Sequence, residues 1–295
     1  MLTAQQIADY AEKGYLVVPE VLSVHELQAM RDQANRWVED SRELERSDGR
    51  FDLEPSHSRE EPAIRRVKSP AAVSDAFGAV LAHPGILAVL RDLIGEDIRW
   101  QGTKLNMKAA GVGSPVEWHQ DWAFYPHTND DLLAVGVPLD DMTVENGALL
   151  AIPGTHRGPL FDHHASGVFA GAVDPGLVDA SLVAALEAPA GAITVHHCRL
   201  LHGSAPNRSG RRRRLLLIEY CAADAWPLVG QVGSAPTWEE LTAKTVSGRA
   251  TNAVRLAAVP VRVPRPLPET AGSIYEIQES RRDRRYSFDG EPQGD

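Results

Sequence analysis

Two histidines and one aspartate have the spacing that most directly suggests chemistry in this sequence. One residue separates His119 from Asp121, and His202 begins a later segment, His-Gly-Ser-Ala-Pro-Asn. On a strand, side chains two residues apart point to the same face, so a His-x-Asp pair can present both groups together. A histidine from a neighbouring strand would complete a set of two imidazoles and one carboxylate. This set is the facial triad that holds iron(II) in non-haem oxygenases and leaves three coordination positions open.

An arginine downstream of these three residues favours the same interpretation. Arg213 begins an apolar run eleven residues after His202. A 2-oxo acid chelates iron through its keto and C1 carboxylate oxygens, and its far carboxylate needs a cationic partner. The planar guanidinium group suits this task because it can donate two parallel hydrogen bonds to one carboxylate. The triad and the arginine together are therefore more specific than either alone.

The elements that would position these residues begin as helices and continue as strands. Residues 47–62 are polar and charged, and they predict a mobile loop. Capping residues and apolar periodicity predict helices at residues 4–13, 23 to about 45, 71–81 and 84–94. Short β-type runs between turn signals predict strands at residues 15–18, 98–107, 132–138, 148–152, 193–197 and 215–221.

This order of elements favours a mainly β fold with flanking helices, in which helices pack outside a two-sheet core such as a jelly roll. The length of 295 residues suits one large domain. We divide it into a mainly helical flank (1–97), a β core (98–222) and a C-terminal extension (223–295). The proline-rich and charged tail from Pro260 is not assigned to an element.

Composition narrows the classes of partner and location. A formal net charge of −10 argues against nucleic acid or an anionic membrane as the main partner, because both favour basic surfaces. No apolar run approaches the roughly 18 residues of a membrane span, and the N-terminus does not read as a signal peptide. We therefore expect a cytoplasmic protein. Cys198 and Cys221 form no CxxC motif, which argues against a zinc-thiolate site.

Several motifs, taken in order, resemble the phytanoyl-CoA dioxygenase family over residues 7–221. They are Trp118-His-Gln-Asp121, Leu139-Asp-Asp-Met-Thr-Val-Glu-Asn-Gly147, Pro153-Gly-Thr-His156, Gly191 and His202-Gly-Ser-Ala-Pro-Asn207. The resemblance implies a double-stranded β-helix (jelly-roll) core, with iron(II), 2-oxoglutarate and O2 as cofactor and co-substrates.

The same resemblance implies roles for individual residues. The metal ligands would be His119, Asp121 and His202. The far carboxylate of 2-oxoglutarate would meet Arg213, with Ser204 beside it. Two earlier family positions that touch this co-substrate fall at Lys104 and Arg66.

Two positions refine the comparison with this family. A tryptophan common before the Leu-Asp-Asp motif is absent, and Gly136 and Val137 stand there. This changes the expected shape of the co-substrate pocket. Relatives that halogenate carry alanine or glycine at the position of Asp121, where a chloride binds iron. A carboxylate at that position favours hydroxylation or a related oxidation over chlorination.

Aromatic residues directly after the triad segment are candidates for substrate contacts. They are Trp122, Phe124, Tyr125 and His127. Packing in the core is an equally good explanation for them, because aromatic side chains are common in both cores and pockets. The substrate is expected to be a small molecule, and its identity and the oligomeric state are left open.

We therefore predict an iron(II)- and 2-oxoglutarate-dependent dioxygenase that hydroxylates or otherwise oxidises a small molecule and releases succinate and CO2. One alternative is a non-catalytic jelly-roll protein that binds a metabolite or senses 2-oxoglutarate. A second is a zinc hydrolase with the same His-Asp-His ligands, although that chemistry has no evident use for Arg213.

Overall fold

Two antiparallel β-sheets form the core and together line a cavity between them. The computed structural model describes residues 1–229, 237–263, 265–267 and 274–279. Within these residues the larger sheet has eight strands, in the order β1-β11-β6-β13-β4-β3-β2, with β14 also paired to β4. The smaller sheet has the order β10-β7-β12-β5, and β8 and β9 form a separate two-stranded ribbon.

The strands are mostly short, and β4 and β13 are the long pair at the centre of the larger sheet. Their bounds are β1 Tyr15–Val18, β2 Phe51–Leu53, β3 Ile64–Lys68, β4 Ile98–Lys108, β5 Val116–His119, β6 Leu132–Pro138, β7 Leu149–Ala151, β8 His164–Ala165, β9 Val168–Phe169, β10 Ala184–Leu186, β11 Ile193–His197, β12 His202–Ser204, β13 Arg213–Ala222 and β14 Thr245–Ser247.

Six α-helices occur among the described residues, and the first two begin at clear capping residues. Their bounds are α1 Ala4–Lys13, α2 Val24–Asp40, α3 Asp75–Gly78, α4 Pro84–Ile94, α5 Trp238–Ala243 and α6 Ile274–Glu279. Thr3 and Ser23 each form a capping box at the start of α1 and α2. Gly14 ends α1 with φ of 83°. A Cβ at Gly14 would lie 2.5 Å from the His156 ring, so this turn requires glycine for space as well as conformation.

Helices cover the outer face of the larger sheet and form the main apolar core together with its strands. Trp37 of α2 is fully buried and stacks on Phe77 of α3 at a ring separation of 5.1 Å. The same cluster includes Leu216 and Ile218 of β13 and Leu105 of β4. Every second side chain on these strands therefore faces the helices, as the two-residue period of a strand requires.

The opposite face of the larger sheet is polar where it borders the cavity. Arg213 of β13 lies opposite Lys108 of β4, and Leu217 lies opposite Lys104. Along each strand these side chains alternate with the apolar side chains that face the helices, so they point to the opposite face, toward the smaller sheet. The fold thus separates an apolar helix-facing layer from an inner layer that carries charge.

Several predicted elements are confirmed with their bounds, including the helices at 4–13 and 84–94 and the strands at 132–138 and 193–197. The prediction of a mobile loop at 47–62 was wrong, since buried strand β2 lies within it and pairs with β3. Its polar character has a structural use, because buried Asp52 pairs with cations of β3.

Two predicted helices differ from the structure. The helix expected to reach about residue 45 ends at Asp40 and continues as a 3₁₀ turn at Ser41–Glu43. The helix predicted at 71–81 is divided into a 3₁₀ turn at Pro70–Ala72, α3, and a 3₁₀ segment at Ala79–Ala82, because Ser74 adopts an extended conformation. The predicted jelly-roll core is consistent with the antiparallel sheets, and β1, β2 and β3 of residues 1–97 add strands to it.

None of the described helices taken singly has both the length and the apolar composition to cross a membrane. One bent pair, Asp75–Ala82 with Pro84–Ile94, passes that test on length and composition together.

The stacked contact between α2 and α3 yields a stability prediction. We expect Trp37→Ala to lower the free energy of unfolding by about 3–5 kcal/mol, because a large buried ring is lost and a cavity remains. Urea unfolding followed by circular dichroism measures this change. Val24→Ala on the same helix is the matched control, since Val24 is 79% exposed and should change stability little. A Trp37→Ala protein as stable as the control would contradict this account of the core.

Candidate active site

Three buried side chains converge at one end of the cavity, two from neighbouring strands and one from the turn that follows the first of them. Strands β5 and β12 pair antiparallel in the smaller sheet, with His119 directly opposite His202. Asp121 follows β5 in a 3₁₀ turn at Asp121–Ala123. The sequence argument placed His119 and Asp121 on one strand, and this was wrong, because β5 ends at His119. The turn, and not strand alternation, returns the carboxylate to the histidines.

The turn is held by a residue that sequence reasoning did not single out. Gln120 is fully buried, and its backbone N–H donates to His163 Nε2 at 2.9 Å. Its side-chain amide donates to the Arg199 carbonyl at 2.8 Å and accepts from the Phe161 N–H at 2.9 Å. A buried amide with all these partners fixes the backbone between the two ligand candidates. Only its place inside the His-x-Asp motif could have indicated this role.

The convergence of the three side chains is close enough for a shared cation. One donor atom from each of His119, Asp121 and His202 lies within 4.8 Å of the others, and this is the only such group in the part of the chain that the structure describes. His119 Nε2 and Asp121 Oδ1 are 3.6 Å apart, and the two imidazole ring centres are 4.2 Å apart. Each residue is at most 5% exposed.

Hydrogen bonds orient both imidazoles for metal binding. His119 Nδ1 lies 2.7 Å from the Glu117 carbonyl, and His202 Nδ1 lies 2.9 Å from the Leu200 carbonyl. A carbonyl only accepts, so each Nδ1 carries the hydrogen and each Nε2 presents a lone pair to the site. This tautomer is the one that a metal-binding histidine needs, so the residues fit a ferrous ion.

The charge states of these groups also suit a cation. Burial tends to raise the pKa of Asp121, but the nearby Lys104 ammonium and the surrounding imidazoles hold it well below its usual value. Burial, with His119 and His196 nearby, lowers the pKa of His202 well below its ordinary value. The site therefore presents an ionised carboxylate and a neutral imidazole near neutral pH.

An inner cavity of about 40 Å³ extends from these residues to Arg213. Arg213 is 2% exposed and donates from Nη2 to the Gly147 carbonyl at 2.7 Å, while its Nε has no hydrogen-bond partner among the described residues. Burial lowers its pKa to about 10, so the guanidinium stays charged at neutral pH. A buried cation with an unused donor fits the far carboxylate of 2-oxoglutarate.

A lysine that sequence reasoning missed lies behind this end of the cavity. Lys108 is 1% exposed and donates from Nζ to Ser204 Oγ at 2.9 Å and to the Ala205 carbonyl. Burial and the neighbouring Arg213 lower its pKa well below the usual value. Since Ser204 accepts from Lys108, its own hydroxyl hydrogen is free to point to a ligand. The predicted strand ended one residue before Lys108, and its position opposite Arg213 follows only from the pairing of β4 with β13.

A larger outer cavity of about 520 Å³ adjoins the triad on the other side. Lys104 lines both cavities, whereas Arg66 lines only the outer one. Asp52 pairs with Arg66 at 2.9 Å and with Lys68 at 2.8 Å, while Lys104 pairs with Glu219 at 3.2 Å. The structure thus brings Lys104 to the triad but leaves Arg66 farther out.

The aromatic candidates for substrate contacts divide into two groups. Phe124 and Tyr125 line the outer cavity beside Asp121. Trp122 and His127 are fully buried and line neither this cavity nor the inner one. Trp122 donates from its indole nitrogen to the Pro260 carbonyl at 2.7 Å, and His127 bonds the Tyr125 carbonyl at 2.8 Å, so both support the surrounding structure.

The position of the missing tryptophan has a local explanation. A Cβ at Gly136 would lie 2.4 Å from Thr194 Oγ1 and 3.2 Å from Leu215 Cδ1. Thr194 and Leu215 therefore occupy the space that a larger side chain would need.

The C-terminal helix α6 completes the wall of both cavities. Ile274 lines the inner and the outer cavity, and Ile277 lines the outer one. The side chain of Gln278 donates to the Gly171 carbonyl at 2.8 Å and accepts from the Glu117 N–H at 3.2 Å. These bonds attach α6 beside the strand that carries His119.

Known proteins resemble this chain along most of its length. A probable alpha-ketoglutarate-dependent hypophosphite dioxygenase from Stutzerimonas stutzeri is 38% identical over 281 residues, covering 93% of this chain and 96% of the relative. L-proline trans-4-hydroxylase from Streptomyces griseoviridis is 30% identical over 233 residues, covering 72% of this chain and 83% of the relative. The crystal structure of EctD from S. alaskensis with bound Fe has a TM-score of 0.65 at 23% identity and covers 88% of each chain.

These comparisons confirm the predicted fold class, enzyme class and cofactors, and they give no support to the non-catalytic alternative. The family model for phytanoyl-CoA dioxygenase matches residues 10–215. The chain therefore belongs to the phytanoyl-CoA dioxygenase family and is a dioxygenase that depends on iron(II) and 2-oxoglutarate.

Proposed function

We propose that this dioxygenase oxidises a small anionic substrate, and that the substrate is a reduced phosphorus oxyanion of the hypophosphite class. The observation that carries the proposal is the cationic lining of the outer cavity next to the triad. The near full-length similarity to a probable hypophosphite dioxygenase supports it. A cytoplasmic location stays a prediction from the sequence.

The cavity lining carries more positive than negative side chains. Four cations, Arg66, Lys68, Lys104 and Lys244, line the outer cavity. Three carboxylates oppose them, since Asp121 and Glu219 lie in the lining and Asp52 pairs with two of the cations. If Asp121 binds the metal, four cations and two carboxylates remain around the cavity, and this excess of positive charge favours an anionic substrate. A cleft of one sign in a low-dielectric wall raises the local concentration of oppositely charged substrates.

We assign His119, Asp121 and His202 to iron(II), and Arg213 with Ser204 to the far carboxylate of 2-oxoglutarate. Lys104 can meet either ligand because it lines both cavities. Arg66 lines only the outer cavity, so we move its proposed role from the co-substrate to the incoming substrate anion. The ion pairs with Asp52 and Glu219 keep these cations oriented without neutralising all of them.

The reaction balances with one co-substrate and one O2. A substrate X–H bond becomes X–OH while 2-oxoglutarate becomes succinate and CO2, so one atom of O2 enters the hydroxylated substrate and the other enters succinate. Bound iron(II) supplies the activation of O2, and the protein supplies orientation and the exclusion of water. Leu215, Leu217 and Leu149 form the apolar part of the inner wall and limit the water that can enter. Hypophosphite carries P–H bonds that this reaction would convert to P–OH, and its negative charge suits the cationic lining of the outer cavity.

Loss of a proposed metal ligand should abolish metal binding. We expect Asp121→Asn and His202→Ala to bind Fe(II) at least about 100-fold more weakly in anaerobic titration calorimetry, because one of three ligands is lost. His25→Ala, at an exposed histidine of α2, is the control and should bind like the wild type. Fe(II) binding by Asp121→Asn at wild-type affinity would refute the ligand assignment.

Removal of the buried guanidinium should weaken co-substrate binding. We expect Arg213→Ala to raise the KM for 2-oxoglutarate roughly 30-fold or more, because truncating one partner of a buried charge pair costs at least about 2 kcal/mol. The adjacent Arg212→Ala should keep the wild-type KM, since Arg212 is exposed and bonds Asn35. Initial-rate measurements over a range of 2-oxoglutarate concentrations test both variants. Equal KM values for the two would contradict the assignment of Arg213.

The substrate class is tested by succinate formation. The iron-loaded enzyme should release succinate in proportion to added hypophosphite, with phosphite as the oxidised product detected by phosphorus NMR. L-proline, the substrate named for a second relative, is the comparison compound. Turnover with L-proline and none with hypophosphite would overturn the proposed substrate class and leave the dioxygenase class intact.

The charge of Lys104 provides a second test of the same proposal. We expect Lys104→Gln to lower kcat/KM for hypophosphite by about tenfold or more, because a charge beside the anion is removed at low effective dielectric. Fe(II) affinity is measured in parallel to separate this effect from a change at Asp121. An unchanged kcat/KM would exclude Lys104 as a substrate contact.

A further inference from the structure

We propose that His196, a histidine that is not one of the three proposed metal ligands, is a positioning residue that holds the carboxylate of Asp121 in a one-oxygen binding mode. The inference rests on the metal assignment of the proposed function and does not depend on the identity of the substrate. It concerns the one imidazole in the inner cavity lining whose ring nitrogens both lack a hydrogen-bond partner among the described residues.

His196 lies on β11, in the larger sheet, and its side chain reaches across the cavity toward the triad. It is 1% exposed and lines the inner cavity together with His119, Asp121 and His202. Its ring centre is 4.5 Å from that of His202. Its Nε2 lies 3.5 Å from Asp121 Oδ2, which is slightly beyond a formed hydrogen bond.

The two oxygens of Asp121 therefore face different imidazoles. Oδ1 lies 3.6 Å from Nε2 of the proposed ligand His119, while Oδ2 lies 3.5 Å from Nε2 of His196. A displacement of a few tenths of an ångström would bring Oδ2 into hydrogen-bond range of His196. Both ring nitrogens of His196 are buried and have no hydrogen-bond partner among the described residues, so His196 has a strong reason to form this bond.

The hydrogen bonds of the other histidines show why His196 is not a fourth ligand. His119 and His202 both place Nδ1 against a backbone carbonyl, which presents the Nε2 lone pair. No carbonyl binds Nδ1 of His196 among the described residues. Its hydrogen can therefore be carried on Nε2, where it is donated to Oδ2 and cannot bind a metal.

The consequence concerns the number of open coordination positions. A carboxylate can bind a metal through one oxygen or through two. The facial triad leaves three positions when Asp121 uses one oxygen, which is enough for a chelating 2-oxo acid and O2. A second carboxylate oxygen on the metal would occupy one of these positions. By engaging Oδ2, His196 reserves that position for the co-substrates.

The test compares His196→Leu, which removes the donor, with His196→Gln, which keeps an N–H donor on a polar side chain. Thr194→Val is the matched control. Thr194 lies two residues earlier on β11, points to the same face and is fully buried with an unpartnered hydroxyl. This substitution changes the same packing environment without touching Asp121. Circular dichroism melting of each full-length protein establishes that it is folded.

The first measurement is the affinity of each apoprotein for Co(II), a spectroscopic substitute for iron, titrated without substrate. We expect His196→Leu to weaken Co(II) binding by about 10–100-fold, as for other partners of metal ligands. His196→Gln should recover most of this loss, and Thr194→Val should match the wild type. Wild-type affinity in a folded His196→Leu protein would overturn the proposal, as would equal losses in the leucine and glutamine variants.

The second measurement reports on coordination geometry. The visible absorption of the Co(II) protein should change in His196→Leu, and anaerobic 2-oxoglutarate should bind this metal-loaded variant more weakly than the wild type. Identical Co(II) spectra and identical 2-oxoglutarate affinities would exclude a change in the binding mode of Asp121. Neither measurement uses the substrate, so failure of the hypophosphite assignment would leave these results interpretable, and the reverse also holds.

Discussion

The pairing of β5 with β12 is the constraint on which the site depends. It places His119 opposite His202 across two adjacent strands, although more than eighty residues separate them in the chain. Each imidazole is then fixed by a carbonyl two residues earlier in its own segment. Backbone geometry thus determines both the distance between the ligands and the nitrogen that each presents. The carboxylate is supplied by a turn, and buried Gln120 makes that turn rigid.

The larger sheet, by contrast, holds charged side chains in a buried space. Its strands alternate apolar side chains toward the helices with cations toward the cavity, so one pleated layer supports both the core and the ligand sites. Buried cations are costly unless something compensates them. At Lys104 the compensation comes from Glu219, whereas Arg213 forms no ion pair among the described residues. This difference supports the proposed pairing of Arg213 with the far carboxylate of 2-oxoglutarate.

Local periodicity predicted the fold class and the order of motifs predicted the three ligand candidates, although strand alternation wrongly placed Asp121 on the same strand as His119. The loop predicted at 47–62 was wrong because polarity was taken as a sign of exposure, while buried Asp52 is matched there to cations from β3. The roles of Gln120, Lys108 and His196 depend on partners far away in the chain. Their side chains acquire meaning only through tertiary contacts, which periodicity does not encode.

Helix α6 has an implication for how relatives of this enzyme diverge. The family model matches residues 10–215, yet Ile274, well beyond that range, walls both chambers beside the triad. The three proposed metal ligands thus lie within the matched range, whereas Ile274 of the cavity wall lies outside it. Substitutions at Ile274 can change the shape of both cavities while the three proposed ligand residues stay the same. The hydrogen bonds of Gln278 limit such changes, because they hold α6 against the strand that carries His119.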